Sequence, residues 1–286
     1  MSDADLTIVT FNSLFGGWTD FGFGEPLRRG AMVEFLRGLQ PDILCLQELN
    51  GYDLLGRRRL HQLVNDLDLT RGFLAEANET TSGHRFHSAI LLSDQVRVEA
   101  EGADRTRYHH VLGWAKLRLS GLPGMLLELR NVHLDPFDPS NRAREVAPFE
   151  VLAAPGVLSI VAGDANTIGA DFPEPEWGVL PPHLLNGHLR SPSDSCSSES
   201  DREAVALLRR AGFVDSATAT GNGSVPTAAF EAGDVPRRQD LVLLSPALAP
   251  ALTGYTVHRE PVDLGFSDHC AVGITLSPNR LSLETP

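Results

Sequence analysis

The sequence reads Val161-Ala162-Gly163-Asp164-Ala165-Asn166-Thr167 where an apolar run that begins at residue 157 comes to an end. The run has the length of a strand buried on both faces, and Gly163 is expected to break it. Asp164 and Asn166 would then lie at the rim of a sheet, where a carboxylate and an amide can hold a water molecule against phosphorus. The same residue types beside glycine also form ordinary turns, so the interpretation depends on the other strand ends.

Segments before this run follow a repeated order of strand, helix and polar tip. We predict strands at residues 6–11 and 43–46, which end at Asn12 and at Gln47-Glu48. Pro26 opens a helix that ends before Pro41, because apolar residues between them recur at spacings of three, four and seven. A second amphipathic helix spans the apolar positions 60–67, and the three arginines at 57–59 are expected on its solvated surface.

The middle and end of the chain predict further strands and two helices. Turn signals separate strands at 73–77, 86–92, 96–100, 108–119 and 125–134, which indicates antiparallel neighbours. A helix at 140–154 should be divided by Pro148. Another helix should start at a capping box, residues 200–203, and end near 211 with Gly212 as its left-handed stop. The last strands are predicted at 238–244, 255–259 and 269–276.

Two long segments have no clear periodicity. Residues 13–25 combine four aromatic side chains with glycines, and could form either an aromatic substrate wall or a hydrophobic plug under the sheet. Residues 169–198 are rich in Pro, Ser and Gly, and we interpret them as an insertion or lid because they follow Asp164 closely. With no internal repeat or linker, residues 1–286 are predicted to form a single domain.

Composition excludes several classes of protein. The 286 residues are 42% hydrophobic and 21% charged, as in ordinary globular proteins, and no apolar run is long enough to span a membrane. The first residues lack a signal core, which favours the cytoplasm. The cysteines Cys45, Cys196 and Cys270 lack metal-ligand spacing and are expected to be reduced. A net charge of −13 disfavours extended nucleic acid tracks but permits a small phosphorylated substrate.

Polar side chains collect at the predicted strand ends. Four carboxylates packed with two imidazoles and two amides would repel one another unless a cation were present. Oxygen ligands favour Mg²⁺ or Mn²⁺ over Zn²⁺, with Glu48, Asn12 and Asp268 as candidate ligands. Singly, His133 or His269 could be a hydrogen-bonded core histidine, and Asp240 an ion-pair partner. The complete set is Asn12, Glu48, His133, Asp164, Asn166, Asp240, Asp268 and His269.

The ordered set of motifs resembles the endonuclease/exonuclease/phosphatase family of metal-dependent phosphoesterases. The resemblance runs from the first predicted strand to the last and implies a four-layer α/β/β/α sandwich with two central mixed, mainly antiparallel sheets. The motifs are Phe11-Asn12, Leu46-Gln47-Glu48, Asn131-Val132-His133-Leu134, Gly163-Asp164-Ala165-Asn166, Gln239-Asp240-Leu241-Val242 and Ser267-Asp268-His269.

Residue roles carried over from the resemblance describe an in-line hydrolysis. Glu48 would be the principal Mg²⁺ or Mn²⁺ ligand, with Asn12 and Asp268 in support. Asp164 would activate or orient the attacking water, and Asn166 would fix that water or a phosphate oxygen. The remaining three residues would act on the phosphoryl group: His269 binds it, Asp240 holds the His269 ring, and His133 stabilises or protonates the leaving oxygen.

Two departures from the apurinic endonuclease branch concern substrate choice. Leu14 stands where those enzymes have an aspartate, and Phe86 where they have a phosphate-contacting tyrosine. We therefore expect a phosphate mono- or diester of a small molecule, nucleotide or headgroup. A DNA or RNA nuclease is the alternative within the enzyme class, and a catalytically silent binding member is the alternative outside it. Oligomeric state is not indicated.

Overall fold

A computed structural model describes residues 5–120, 124–190 and 199–281. The helices in these residues are α1 (Arg29–Leu39), α2 (Leu54–Asp66), α3 (Pro139–Val146), α4 (Glu203–Ala211), α5 (Ser216–Ala219) and α6 (Glu260–Asp263). The strands are β1 (Leu6–Asn12), β2 (Ile43–Gln47), β3 (Arg71–Ala75), β4 (Ser88–Leu92), β5 (Val96–Asp104), β6 (Leu112–Leu119), β7 (Leu127–His133), β8 (Leu158–Asp164), β9 (Val214–Asp215), β10 (Asp240–Leu244), β11 (Leu252–His258) and β12 (Ala271–Leu276).

The strands form two six-stranded mixed sheets. One has the order β11-β12-β1-β2-β4-β3, and the other β5-β6-β7-β8-β10-β9. The pairs β1–β2 and β7–β8 are parallel, and the remaining pairs are antiparallel. The antiparallel neighbours predicted from the turn signals are confirmed for β3–β4, β5–β6 and β6–β7, but β4 and β5 lie in different sheets and do not pair.

Three apolar layers hold the sandwich together. The core between the sheets contains Ile8, Ile43, Leu129 and Ile160. A second core joins α1 and α2 to the outer face of the first sheet, and a third joins α3 and α4 to the outer face of the second. The order of layers is thus helix, sheet, sheet, helix, and the predicted fold class is confirmed.

The central strand differs from its prediction at Gly163. The strand does not break there but continues to Asp164, with Gly163 paired to Val132 on one side and Leu241 on the other. Gly163 has a φ of 144°, and a Cβ atom at this position would lie 1.9 Å from the Val132 carbonyl oxygen. Glycine is needed here because it permits the close approach of two parallel strands.

Helix boundaries show which local signals were reliable. Pro148 divides the predicted helix as expected, since α3 gives way to a 3₁₀ turn at Ala147–Ala153. Gly212 ends α4 with a φ of 109°. The capping box prediction was wrong, because the Ser200 hydroxyl bonds to Glu174 and not to the first turn of α4.

The predictions for the arginine triplet and for the cysteines have different outcomes. Arg57 and Arg58 are exposed, but Arg59 packs its guanidinium over the Trp18 ring at 3.5 Å, so the basic triplet is not wholly a solvated surface. Cys45 and Cys270 are free and buried, while Cys196 lies outside the described residues. None of the described helices is long and apolar enough to cross a membrane.

Candidate active site

Asp164 lies at the centre of a row of polar side chains on the second sheet. Within the sheet it pairs in register with His133 of β7 on one side and with Asp240 of β10 on the other. Residues that pair in register extend their side chains to the same face. The sheet therefore places an imidazole and two carboxylates side by side, although they are separated by 31 and 76 positions in sequence.

The row faces the space between the two sheets. Side chains alternate along β8, so Leu158, Ile160 and Ala162 enter the inter-sheet core, and Asp164 continues their row by the same alternation. The sandwich interior thus changes from apolar to polar at one end. The other polar members of this inward face are Thr10 and Asn12 on β1, Gln47 on β2, Asn131 and His133 on β7, and Asp240 on β10.

A buried amide pair separates the apolar core from the site. Gln47 donates from Nε2 to Asn131 Oδ1 at 2.7 Å, and so links the two sheets. Asn131 in turn donates from Nδ2 to the carbonyl oxygens of Leu46 and Ala89. Both amides are fully buried. They fix the relative position of β2 and β7 next to the polar side chains around Asp164.

Asn12 bridges the carboxylates of the two sheets. Its Nδ2 donates to Glu48 Oε1 and to Asp164 Oδ2, each at 3.1 Å. Glu48 follows β2 in a left-handed conformation with a φ of 60°, which is unusual for a residue with a side chain. This turn directs its carboxylate toward β1 and β8. The structure therefore brings Asn12, Glu48 and Asp164 together, as predicted.

The electrostatics of Glu48 indicate a site suited to a cation. Burial and the neighbouring Asp268 carboxylate raise the pKa of Glu48 to about 7. Its Oε2 atom is buried, without a hydrogen-bond partner among the described residues. Asp268 is half-buried and acts on Glu48 through its charge. A divalent cation would offset this repulsion.

His269 and Asp240 form a close pair beside Asp164. His269 Nδ1 lies 2.9 Å from Asp240 Oδ2, and its Nε2 lies 3.8 Å from Asp164 Oδ2. The backbone N–H of Asp240 donates to the Thr227 hydroxyl. Burial alone would lower the pKa of His269, but Asp240 and Asp164 raise it well above its ordinary value. The ring is thereby held with Nε2 toward Asp164, as expected for a carboxylate-oriented histidine.

His133 lies on the opposite side of Asp164. Its Nε2 is 3.7 Å from Asp164 Oδ2, and its side chain is only 4% exposed. Burial and the positive neighbour His269 lower the pKa of His133 to about 3. His133 is therefore neutral in the physiological range. It can donate a hydrogen bond, but it is a poor source of a proton.

Asn166 stabilises the turn that carries Asp164. Its backbone N–H donates to Asp164 Oδ1 at 2.9 Å, and its Nδ2 donates to the Leu134 carbonyl at the same distance. The residue has a φ of 47°. Since Nδ2 is already bonded, Oδ1 is the amide atom left for a water molecule or substrate group.

The site opens into a cavity of about 540 Å³. Its floor contains Glu48, Asp164, Asn166 and the two histidines His133 and His269. Residues 78–82, which carry three hydroxyl groups, also line it, together with a group of aromatic and imidazole side chains. The aromatic and imidazole lining residues are Phe86, His109, His110 and Phe137.

The two segments predicted as possible substrate walls, residues 169–198 and 13–25, have different outcomes. Of the predicted lid, residues 169–190 are described; none lines the cavity, and Trp177 and Leu180 pack on Ile168 and Val235 in a separate core. Residues 191–198 lie outside the described part. In the aromatic loop, Trp18 packs on the core under the first sheet, whereas Phe21 is 48% exposed and stacks on His84.

The residues present fit a divalent metal ion. Asp164, Asp240 and His269 each offer a ligand atom within 4.8 Å of the others. Glu48 and Asn12 add oxygen atoms next to Asp164, and oxygen-rich donor sets suit Mg²⁺ or Mn²⁺. The buried Glu48 Oε2, which has no hydrogen-bond partner among the described residues, is suited to binding a cation.

Comparisons with known proteins agree with this geometry. A family model described as the endonuclease/exonuclease/phosphatase family matches residues 9–269. The chain belongs to the endonuclease/exonuclease/phosphatase family. Members of this family are generally dependent on divalent metals, in agreement with the acidic cluster around Asp164. A search of curated protein sequences found no match.

Solved structures of the endonuclease/exonuclease/phosphatase fold are similar over almost the whole chain. A family protein from Leptotrichia buccalis is 13% identical, with a TM-score of 0.65, covering 95% of this chain and 99% of that one. An AP endonuclease from Archaeoglobus fulgidus is 15% identical, with a TM-score of 0.61 and coverages of 95% and 99%. A mannosyl-6-phosphatase from Bacteroides thetaiotaomicron is 15% identical, with a TM-score of 0.59 and coverages of 94% and 98%.

Several residues of this family member were missed by sequence reasoning. Gln47 and Asn131 were not predicted as functional residues, although the period-two alternation from Cys45 and Leu129 places both inside the sandwich. Arg28 lies near Glu48 and Asp268, whose charges act on its guanidinium, and no local pattern marks it. His109 and His110 were assigned to a strand, but β6 begins only at Leu112.

Proposed function

We propose that the protein is a Mg²⁺- or Mn²⁺-dependent phosphoesterase that hydrolyses a phosphate ester by in-line attack of water, with residues 1–286 acting as one domain. The observation that supports it best is the position of Asp164. Its carboxylate contacts Asn12 at 3.1 Å and lies under 4 Å from both His133 and His269. One carboxylate between two imidazoles and an amide is suited to directing a water molecule at a phosphoryl group.

Glu48, Asn12 and Asp268 would hold the metal ion in this proposal. Glu48 offers a buried oxygen without a hydrogen-bond partner among the described residues, and Asn12 lies directly beside it, bonded to Glu48 Oε1. When bound, the ion supplies charge stabilisation for the phosphate oxygens.

Asp164 would orient the attacking water and accept its proton. Its Oδ1 is fixed by the Asn166 backbone N–H, so its Oδ2 is the atom that meets Asn12 and the imidazoles. Asn166 would hold the same water or a phosphate oxygen through Oδ1. A positioned base of this kind contributes about 10²–10⁴ in rate.

The two histidines would bind the phosphoryl group in different charge states. His269, paired with Asp240, favours the protonated form and would contribute positive charge to a phosphate oxygen through Nε2. His133 is neutral and would donate a hydrogen bond. This division assigns electrostatic stabilisation to His269 and orientation to His133.

The cavity favours a small phosphate ester over a long nucleic acid. Among the described residues that line it there is no arginine or lysine, and the chain as a whole carries a net charge of −13. Binding along a polyphosphate backbone depends on such basic groups. We therefore propose a phosphorylated small molecule or a nucleotide as the substrate.

A hydrolysis screen tests the proposal. Purified protein with Mg²⁺ or Mn²⁺ would be assayed on mono- and bis-aryl phosphates, nucleotides, phospholipids and single- and double-stranded DNA. We expect metal-dependent turnover of a small ester. Glu48→Gln should abolish this turnover, and the control variant Asp94→Asn, at an exposed position, should retain it. Salt-sensitive cleavage of DNA without turnover of small esters would support a nuclease instead. Metal binding without hydrolysis of any substrate would support a silent binding member.

A further inference from the structure

His109 and Asp135 form a second histidine–carboxylate pair in the wall of the catalytic cavity. His109 Nδ1 lies 3.2 Å from Asp135 Oδ2, and the His109 side chain lines the same cavity as Asp164 and His269. The pair has the same composition as His269–Asp240. Its imidazole is the more accessible one, since the side chain of His109 is 29% exposed and that of His269 is 12% exposed.

Both members of this pair are held rigidly. Asp135 accepts hydrogen bonds from the backbone N–H groups of Phe137 and Asp138 and from Asn141 Nδ2, at 2.8, 3.1 and 2.9 Å. The buried Glu145 accepts the backbone N–H of His109 with Oε1, and that of Asp135 with Oε2. One carboxylate therefore fixes the backbone of both residues. Such support is typical of groups whose orientation matters.

A line of stacked rings connects the pair to Asp164. The ring centroids of His109 and His110 are 4.6 Å apart, and those of His110 and His133 are 4.2 Å apart. His133 is the ring that approaches Asp164. Along this line His109 is the ring farthest from the His133–Asp164 contact, and it lines the same cavity, where it can meet a group of a bound ester.

Charge favours a proton on His109 but not on its neighbours. The titratable groups around it are Asp135, Glu145, His110 and His133. The hydrogen bond with Asp135 raises the pKa of His109 above its ordinary value, although burial opposes the change. Burial lowers the pKa of His133 to about 3 and that of His110 well below its ordinary value. The two inner imidazoles are therefore neutral donors or acceptors.

We propose that His109 is the general acid that protonates the leaving oxygen, with Asp135 as the positioning residue for its ring; this rests on the hydrolysis proposed above. As the water oxygen bonds to phosphorus and the ester P–O bond breaks, the proton on His109 Nε2 passes to the leaving oxygen. The proton released by the water passes to Asp164. Nδ1 keeps its proton toward Asp135 throughout, and exchange with solvent restores both groups.

The leaving group distinguishes a general acid from a structural histidine. Wild type, His109→Gln and Asp135→Asn would be assayed on two aryl phosphates that differ only in the acidity of the phenol. General acid catalysis contributes about 10²–10⁴ in rate when the leaving group needs a proton. We expect His109→Gln to slow the ester of the weakly acidic phenol about 100-fold and the ester of the strongly acidic phenol by less than about tenfold. Asp135→Asn should also slow the ester of the weakly acidic phenol more than the other ester, but both losses should be smaller than in His109→Gln.

The pH profile and a matched control complete the test. With the ester of the weakly acidic phenol, the fall in rate at high pH should disappear in His109→Gln. His61→Gln, at an exposed position on α2, should match wild type. Equal slowing of both esters in a folded His109→Gln would overturn the assignment while leaving the proposed function intact. A wild-type protein that hydrolyses neither these esters nor any other substrate of the screen above would overturn both proposals.

Discussion

Asn12 donates a hydrogen bond of 3.1 Å from Nδ2 to Asp164 Oδ2, and so joins two residues that are 152 positions apart in the chain. Asn12 ends β1 in one sheet, and Asp164 ends β8 in the other. The contact links the two sheets at the polar end of the space between them. The site is therefore a property of the sandwich, since neither sheet contains it alone.

Replacing Asp164 by Asn should remove hydrolysis without unfolding the protein. The amide keeps the shape and the contact with the Asn166 N–H but cannot accept a proton from water. We expect kcat to fall by about 10²–10⁴, the range for a positioned base, with an unchanged circular dichroism spectrum. Steady-state kinetics on the best ester would measure the loss. Turnover within a fewfold of wild type would contradict the role of Asp164, and Asp94→Asn serves as the surface control.

The stability of the metal-free protein should depend on pH through Glu48. The pKa of Glu48 is about 7 in the folded state, against 4.5 ordinarily, so between these pH values the folded protein holds a proton that the unfolded chain has lost. By linkage, the contribution of protonated Glu48 to the free energy of unfolding is fully present below pH 4.5 and is lost as the pH rises through about 7. Each pKa unit corresponds to about 1.4 kcal/mol.

Denaturant unfolding of wild type and Glu48→Gln at pH 5 and pH 8 would measure this term. From pH 5 to pH 8, we expect the free energy of unfolding of wild type to fall by about 1–3 kcal/mol relative to that of the variant, by the same conversion. Added Mg²⁺ should restore wild type at pH 8 more than at pH 5, because the cation favours the carboxylate form. Parallel pH dependence of the two proteins would contradict the raised pKa of Glu48.

Gly163→Ala should destabilise the fold and disturb the site together. A Cβ atom would meet the Val132 carbonyl at 1.9 Å, so β7 and β8 must separate. The expected loss of unfolding free energy is about 3 kcal/mol or more, at or above the upper end of ordinary single-residue effects. Gly30→Ala on α1 has open space around it and should be neutral or stabilising by up to about 1 kcal/mol. Equal Tm values for the two variants would show that the close strand approach is wrong.

The buried amide pair should stabilise the contact between the sheets. Asn131→Ala removes the nearest acceptor of Gln47 Nε2 and the Asn131 donor to the Leu46 and Ala89 carbonyls. An unsatisfied buried polar group costs about 1–3 kcal/mol, and we expect a loss of this size in denaturant unfolding. In a double-mutant cycle with Gln47→Ala, the double variant should lose less unfolding free energy than the sum of the two single losses. Additive losses would mean that the two amides act independently.

Local patterns were sufficient to predict most elements and their polar ends. Apolar runs such as 6–11 and 43–46 identified β1 and β2, because burial on both faces requires unbroken apolar residues. Their ends then identified Asn12 and Glu48. Local patterns failed where distant residues decide the outcome. The Ser200 hydroxyl bonds to Glu174 and not to α4. Gly163 does not end its strand, because it is the residue that lets the Val132 carbonyl of the neighbouring strand approach closely.

The sequence by itself determined the order of elements, the family motifs and the residue types at the strand ends, since these follow from periodicity and from chemistry along the chain. Only the tertiary structure decided which polar groups share a cavity and in which charge state. His109 and Asp135 meet because the segment before β6 lies against the turn after β7. His133 and His269 both contact Asp164, but packing gives only His269 a second carboxylate, Asp240. The pKa of His269 is therefore raised, whereas burial lowers that of His133.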